Sequence, residues 1–318
     1  MSTEVLERSF PVSGKALLKL SNIAGSVTLQ PGDDGLIMVS ATKHLETGSG
    51  SRTEIQMEQD GSGQVTVATR HPEGLLGILS LSRPCEVDYL VRLPRACEVK
   101  VSGVSSRIQA AELEGQLDLS TVSGEISIHS LSGSLAVSSV SGNIQGAGIN
   151  GGLHLKTVSG DVRLSQAELS RLEASTVSGS IQLQSSLGQG PYRFNSVSGD
   201  VSMELPKGAA CRVELRSVSG DLQIERPVTR RSKSGGTQQV EIGSGGPSIS
   251  VSSISGNVSI LGANGASLGA QPSFQQESAP KSSSSAADLS PEERLAILEK
   301  INNGEITVEE GLRILQGQ

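Results

Sequence analysis

Large rings are almost missing from this chain: tryptophan is absent, and aromatics make up 2% of the 318 residues. A core without them must be built from Val, Ile and Leu, which suits thin, regularly stacked strands better than a bulky globular interior. Cysteine is scarce too. Cys85, Cys97 and Cys211 are too few and too scattered for a disulfide framework or a zinc site, and they read as small buried hydrophobes. The histidines, His44, His71, His129 and His154, show no metal-ligand spacing. No apolar run approaches the roughly 18 residues of a membrane-spanning helix. The opening MSTEVLERSF has acids where a secretory signal needs an apolar segment, so the cytoplasm is the expected compartment, with envelope association as the alternative. A strong excess of one charge sign is also lacking: 26 basic against 33 acidic side chains leave −7, and no nucleic-acid partner is expected.

Catalytic signatures are equally thin. GAGINGG (residues 146–152) contains a formal G-x-G-x-x-G, but Leu153-His154-Leu155 continues as a strand where a dinucleotide site needs a helix. No Gly-Lys-Ser/Thr phosphate loop occurs, Gly14-Lys15-Ala16 lacking the hydroxyl, and no G-x-S-x-G elbow appears. No catalytic, cofactor or metal residue is therefore assigned, and a non-enzymatic protein is expected.

What the chain does have is glycine, 38 residues of it, and much of that glycine is in register. Seven blocks of the form [Ser/Thr]-[Val/Ile]-Ser-Gly-x-[Ile/Val/Leu] start at Thr121, Ser139, Thr157, Thr176, Ser196, Ser217 and Ser253, separated by 18, 18, 19, 20, 21 and 36 residues. A weaker half-unit lies between them, in LSGSLAV (131–137) and INGGLHL (149–155). Apolar residues alternate within each half, as in Leu117 and Leu119, Ile126 and Ile128, Leu135 and Val137, and Leu153 and Leu155. Period-two alternation bounded by glycine marks half-buried strands.

Two architectures fit. In a β-solenoid each 18–21-residue repeat is one coil, stacked on the next about 4.8 Å away by parallel pairing. In a meander or sandwich each half-unit is one antiparallel strand. The solenoid is preferred, because blocks recurring once per two half-units stack like on like. It predicts a corner ladder of Ser123-Gly124, Ser141-Gly142, Ser159-Gly160, Ser178-Gly179, Ser198-Gly199, Ser219-Gly220 and Ser255-Gly256, the glycines allowing a sharp turn or close approach and the hydroxyls satisfying corner backbone groups. Asp161, Asp200 and Asp221 follow the block glycine, a slot that Glu125, Asn143, Ser180 and Asn257 fill elsewhere. Without G-G-x-G-x-D units this reads as turn chemistry and not calcium binding. The long last gap holds ERPVTRRSKSGGTQQVEIGSGG (225–246), read as a polar loop leaving the stack, with Arg226, Arg230, Arg231 and Lys233 as the densest basic patch, a solvated face in the first reading and a site for an anionic partner in the alternative.

Residues 1–95 form an N-terminal β segment leading into the solenoid at 96–262. Strands are predicted at Ala16–Leu20, Ser26–Gln30, Leu36–Ser40, Gln64–Ala68 and Val87–Leu93, and NIAGSVTL (22–29) echoes the repeat. VRLPRACEVKVSG and MELPKGAACRVELRSVSG echo each other, with Pro94 and Pro206 placed at strand ends. GLLGILSL (74–81) reads as a buried segment or a cover over one end of the stack, with an exposed contact surface as the alternative. Residues 263–288 are a Ser/Ala/Gly-rich linker. Residues 289–318 carry two capping boxes, Ser290/Glu293 and Thr307/Glu310, around helical spacing of Leu295, Leu298 and Ile301, then Val308, Leu312 and Leu315. A helical hairpin this small cannot close its own core and is expected to dock on a second copy, on the solenoid or on a different protein.

VDYLVRLP (87–94) followed by serial SVSGD blocks resembles the bacterial β-strand-repeat family known as putative adhesin, over most of residues 5–262. ILEKINNGEITVEEGLRIL is similar to the short helical module termed SHOCT-like. The resemblance implies a link to the cell envelope and its stress responses, a tail mediating oligomerisation or partner binding, and no catalytic residues. The expected function is thus a scaffold whose tail supplies the contact. Two alternatives stand beside it: a self-polymerising, cytoskeleton-like solenoid, and a surface adhesin or carbohydrate-binding solenoid. The usual carbohydrate signature of acids beside exposed rings is missing, with Phe10, Tyr89, Tyr192, Phe194 and Phe274 the only aromatics.

Overall fold

The computed structural model describes residues 2–45, 53–70, 85–234 and 237–262. GLLGILSL, the linker and the C-terminal hairpin with its Leu295, Leu298, Ile301, Val308, Leu312 and Leu315 lie outside them. The described residues are mainly β, in 22 strands. In chain order these begin with β1 (Ser2–Pro11), β2 (Ala16–Pro31), β3 (Leu36–Leu45), β4 (Glu54–Gln59), β5 (Gln64–Arg70), β6 (Val87–Leu93) and β7 (Ala96–Ala111). The central coils use β8 (Glu114–Thr121), β9 (Ile126–His129), β10 (Ser132–Ser139), β11 (Ile144–Ala147), β12 (Asn150–Ser159), β13 (Val162–Ser178), β14 (Ile181–Leu187), β15 (Tyr192–Ser198) and β16 (Val201–Leu205). The last are β17 (Cys211–Ser219), β18 (Leu222–Ile224), β19 (Val228–Ser234), β20 (Thr237–Ile242), β21 (Ser248–Ser255) and β22 (Val258–Gly262).

Each coil has two long sides. On side A, β2, β7, β8, β10, β12, the second half of β13, β15, β21 and β17 follow one another in parallel. On side B the parallel order is β6, β2, β7, β9, β11, β13, β14, β16, β22 and β18. Because register repeats coil by coil, like residues stack: Ile108, Ile126, Ile144, Val162, Ile181, Val201, Val258 and Leu222 form one unbroken column. All are buried, so the aliphatic alternation read from the sequence becomes a single continuous core between the sides. The chain is a solenoid-like stack of repeats.

Two features of the stack depart from the sequence reading. Residues 225–246 are not merely a loop. They contain an antiparallel hairpin in which β20 pairs with β17 and β19 pairs with β20, and Val240 and Ile242 enter the core. The final coil is also inserted out of order, since β21 lies between β15 and β17 and β22 lies between β16 and β18. The stack therefore ends on residues 211–224 and not on residues 248–262. The N-terminal end does the same, with β2 between β7 on one side and β5 and β6 on the other. Beyond β5 and β6 the strands turn antiparallel: β4 on β5, β3 on β6 and β1 on β3. Strands β6 and β16 stop at Leu93 and Leu205, directly before Pro94 and Pro206, where a residue without an N–H is tolerated.

The second corner, between side B and the next side A, repeats a different signal. In four successive coils one residue there adopts a left-handed backbone: Glu112 (φ 53°), Ser130 (φ 51°), Gly148 (φ 67°) and Gln166 (φ 50°). The residue after each, Leu113, Leu131, Ile149 or Ala167, turns inward and plugs the end of the coil. This column is not announced by glycine, because three of its four members carry side chains.

Candidate functional site

The Ser-Gly corner is the edge where the sequence concentrates its polar side chains. The block serines Ser123, Ser141, Ser159, Ser178, Ser198, Ser219 and Ser255 are all exposed. Register pairs Ser159 with Ser178, Ser178 with Ser198, Ser198 with Ser255, and Ser255 with Ser219, so Ser255 precedes Ser219 in the stack. The glycines pack against their predecessors: a Cβ on Gly142, Gly160, Gly179, Gly199, Gly256 or Gly220 would collide with the carbonyl oxygen of Gly124, Gly142, Gly160, Gly179, Gly199 or Gly256, respectively. Close approach of backbones, more than an unusual φ, is what requires glycine here.

In the first two blocks the glycine N–H is satisfied by the residue that opens the block, not by the block serine. The Gly124 N–H donates to Thr121 Oγ1 at 3.1 Å and the Gly142 N–H to Ser139 Oγ at 2.9 Å, while Thr121 Oγ1 donates to the Ser106 carbonyl at 3.2 Å. The slot after glycine forms a second ladder. The Asp161 N–H donates to Asn143 Oδ1 (3.0 Å), Ser180 N–H to Asp161 Oδ1 (3.1 Å), Asn257 N–H to Asp200 Oδ1 (2.8 Å) and Asp221 N–H to Asn257 Oδ1 (3.2 Å). These side chains fasten one coil to the next, and no metal-ligating cluster occurs among the described residues.

The corner opens along the stack. Val122 and Val140 are 1% and 8% exposed, whereas Val197, Ile254 and Val218, in stacking order, are 43%, 55% and 85% exposed. In the early 18-residue coils the hydroxyl-to-glycine bond folds the corner tightly and turns the Val inward. In the later, longer coils strand pairing runs through the serine, and period-two alternation turns the preceding Val or Ile outward. Among the opening hydroxyls there, Ser196 Oγ donates to the Gly199 carbonyl (3.1 Å), and the buried Thr157 Oγ1, Thr176 Oγ1, Ser253 Oγ and Ser217 Oγ have no partner. This difference makes a prediction. Thr121→Val removes a used hydroxyl, strands the buried Gly124 N–H and should cost about 1–3 kcal/mol. Thr176→Val removes an unused one and should be neutral or stabilising. Urea unfolding midpoints of the two variants distinguish them.

A second polar constellation holds the N-terminal coil. Asp88 accepts the Ser26 hydroxyl at 2.6 Å and the Ser26 N–H at 2.8 Å on Oδ1, and His44 Nε2 lies 2.7 Å from Oδ2. Serine, histidine and aspartate are together, but the carboxylate stands between the other two, so the imidazole cannot take the serine proton. The arrangement latches β2, β3 and β6. Burial works to raise the Asp88 carboxyl, and the hydrogen bonds from Ser26 and His44 outweigh it, holding the group below its ordinary 3.8. A depressed folded value means that the carboxylate's contribution is present above the unfolded pKa and is lost as pH falls through the lowered one. The stability gap between the native protein and Asp88→Asn should accordingly shrink as pH is taken below 3.8, read as unfolding midpoints across an acid series. Nearby, buried Asn22 donates to the Val87 carbonyl (2.9 Å) and accepts from Thr69 Oγ1 (3.0 Å), which also bonds the Tyr89 hydroxyl (2.7 Å). Burial pushes the Tyr89 phenol up to about 12 and the Cys97 and Cys211 thiols up to about 11, so these groups stay neutral and inert.

Two concavities accompany these sites. A wedge of about 300 Å³ opens between β1, β3 and β4, with Glu4, Leu6, Lys43 and Ile55 among its walls. A trough of about 600 Å³ follows the open corner past Asp200, Asn257 and Asp221. It is shallow and polar, and on its floor the Asp200 carboxylate is engaged by the Asn257 N–H.

A stack of two-sided coils with this corner matches the family model described as Toastrack DUF4097 over residues 18–261. The chain belongs to the Toastrack DUF4097 family. Solved structures similar to this Toastrack chain include a "putative adhesin" from Bacteroides fragilis NCTC 9343, at 11% identity over 81% of this chain and 97% of that one (TM-score 0.47). Another is a "putative adhesin" from Parabacteroides merdae ATCC 43184, at 11% identity over 81% and 96% (TM-score 0.42). A "putative lipid binding protein" from Parabacteroides distasonis ATCC 8503 is 13% identical over 81% and 96% (TM-score 0.38). No curated protein matches the Toastrack chain. Among its described residues no helix is long and apolar enough to cross a membrane.

Proposed function

We propose that this Toastrack protein is a non-enzymatic structural and interaction protein, a rigid stack that carries a C-terminal contact segment. The observation behind this reading is how the polar side chains are used. The Thr121 and Ser139 hydroxyls, the Asn/Asp ladder and Asp88 with Ser26 and His44 all bond backbone or neighbouring coils, which leaves them committed to holding the scaffold. Contact with a protein partner or a second copy then falls to residues 289–318, whose Leu295, Leu298, Ile301, Val308, Leu312 and Leu315 supply an apolar stripe too small to fold alone. In this reading the protein works in the cytoplasm and reaches the envelope through that partner.

Residues 1–262 form a compact unit with its own core, so the tail can be removed cleanly. Sedimentation of the full chain against residues 1–262 is expected to show association that depends on the tail, or a defined partner captured by the tail and lost in Leu298→Asp. Identical behaviour of the two chains, with nothing captured, overturns the reading.

A further inference from the structure

The two ends of the stack differ in outline, charge and apolarity, and the differences are complementary. At the N-terminal end, side A continues past β2 by two strands, β5 and β4, while side B continues by three, β6, β3 and β1. At the C-terminal end, side A continues past β21 by three strands, β17, β20 and β19, and side B continues past β22 by β18 alone. Side A therefore overhangs by two strands at the C-terminal end and side B by one at the N-terminal end, a lap joint that leaves one strand spacing open between β18 and β1 when β19 meets β4. Each step is a multiple of the roughly 4.8 Å strand spacing.

The outermost side-A strands carry opposite charges. Among the described residues β19 pairs only with β20, and it presents Arg230, Arg231 and Lys233, all exposed. Among the described residues strand β4 has β5 as its one strand partner, with the Arg8 guanidinium of β1 on its Met57 carbonyl (2.7 Å), and it presents exposed Glu54 and Glu58, with Asp60 just beyond. On side B the recess beyond β18 is flanked by Arg231, which donates to the Leu222 carbonyl on the outer edge, and the opposing overhang β1 carries exposed Glu4 and Glu7 with Arg8 beside them. Strand direction also agrees. β19 runs with β17, being antiparallel to it twice over, and β4 runs against β5, so β19 of one copy meets β4 of the next antiparallel. Exposed large hydrophobics follow the same division: Val5, Leu6 and Met38 are on β1 and β3, and Val197, Ile254, Val218 and Val228 are in the last coils and the hairpin. The central coils expose none among the described residues.

We infer that the ends of the stack bind one another head to tail between copies of this chain, β19 of one copy adding to β4 of the next. Charged edges ordinarily keep sheets from aggregating. Here they repel like ends and permit only the unlike pair, which is a heterologous contact that propagates into linear chains and does not close into a dimer. This contact is separate from the tail, so it stands or falls independently of the proposed function.

The test uses the full chain. Sedimentation velocity at low ionic strength is expected to show a concentration-dependent series of oligomers, visible as short filaments by negative-stain microscopy, that dissociates at about 0.5 M salt, where screening acts within a few ångströms. Arg230→Glu/Lys233→Glu and Glu54→Lys/Glu58→Lys each place one charge sign at both ends, and each should weaken association at least tenfold while keeping the native β circular dichroism. An equimolar mixture of the two should associate again. Leu298→Asp in the full chain should leave this assembly unchanged. Monomeric wild-type protein at low salt, charge variants that associate like wild type, or a mixture of folded variants that stays monomeric each overturns the inference. Assembly abolished by Leu298→Asp and untouched by charge reversal overturns it as well and leaves the tail reading standing.

Discussion

Replacing Phe194 by alanine is expected to destabilise the stack by about 3–5 kcal/mol, a fall of roughly 6–20 °C in thermal midpoint for a body of this size. Phe194 is 1% exposed and occupies a column otherwise built of aliphatic residues, running Leu155, Ala174, Phe194, Val251 and Leu215 on side A. Coils a strand spacing apart leave little room for a ring, and the small Ala174 directly before it supplies that room. Truncation therefore opens a cavity that neighbouring coils, fixed by parallel pairing on both sides, cannot collapse to fill. The same packing predicts coupling. Ala174→Leu alone should overpack and destabilise by about 1–3 kcal/mol, and Phe194→Leu should relieve part of that cost. Differential scanning calorimetry of the two single variants and the double variant measures the coupling, and strict additivity would show that the two side chains do not share space.

Gly179→Val should be nearly as damaging, about 3 kcal/mol or more, at the upper end for overpacking because the obstruction is backbone. The new Cβ meets the Gly160 carbonyl oxygen, which cannot swing aside as a flexible side chain would, and the coils must separate at the corner. The Gly160 N–H bond to the Ser178 carbonyl (3.3 Å) is the first to suffer. Ser178→Ala, one residue away and equally repeated in the sequence, removes only an exposed hydroxyl and should change stability by no more than about 0.5 kcal/mol. Guanidinium unfolding of both variants separates the two roles. A mild Gly179→Val would mean that the corner backbones are not in contact.

That contrast marks what could be read in the residues of the candidate site. A block repeated seven times announces a corner, but repetition cannot distinguish a residue needed for its hydrogen bond from one needed for its smallness or merely tolerated at the surface. The serine of each block looked like the capping group, yet Thr121 and Ser139, two positions earlier, do that work. The conspicuous [Ser/Thr] at the start of every block was the available signal, since a hydroxyl three residues before a glycine N–H is placed to accept from it. The gradual opening from Val122 to Val218 had only a faint trace, the lengthening of the repeat from 18 to 21 residues.

Within the repeat blocks the sequence alone determined the strands and which side chains face inward, and it favoured parallel stacking over an antiparallel sheet, because a fixed repeat length and period-two alternation allow few other ways to bury so many aliphatic residues with so few rings. Only the tertiary structure decided the order of the last coils and the form of both ends. The blocks at Ser196, Ser217 and Ser253 are nearly interchangeable, so local chemistry lets either later coil sit on β15. What selects residues 248–262 is the hairpin: β20 lays Val240 and Ile242 against the outer edge of β17, and that edge is then no longer available to β21. Such a choice depends on contacts between segments tens of residues apart, which repeat spacing does not encode. The same long-range choice puts the Arg230 edge at one end of the stack and the Glu54 edge at the other.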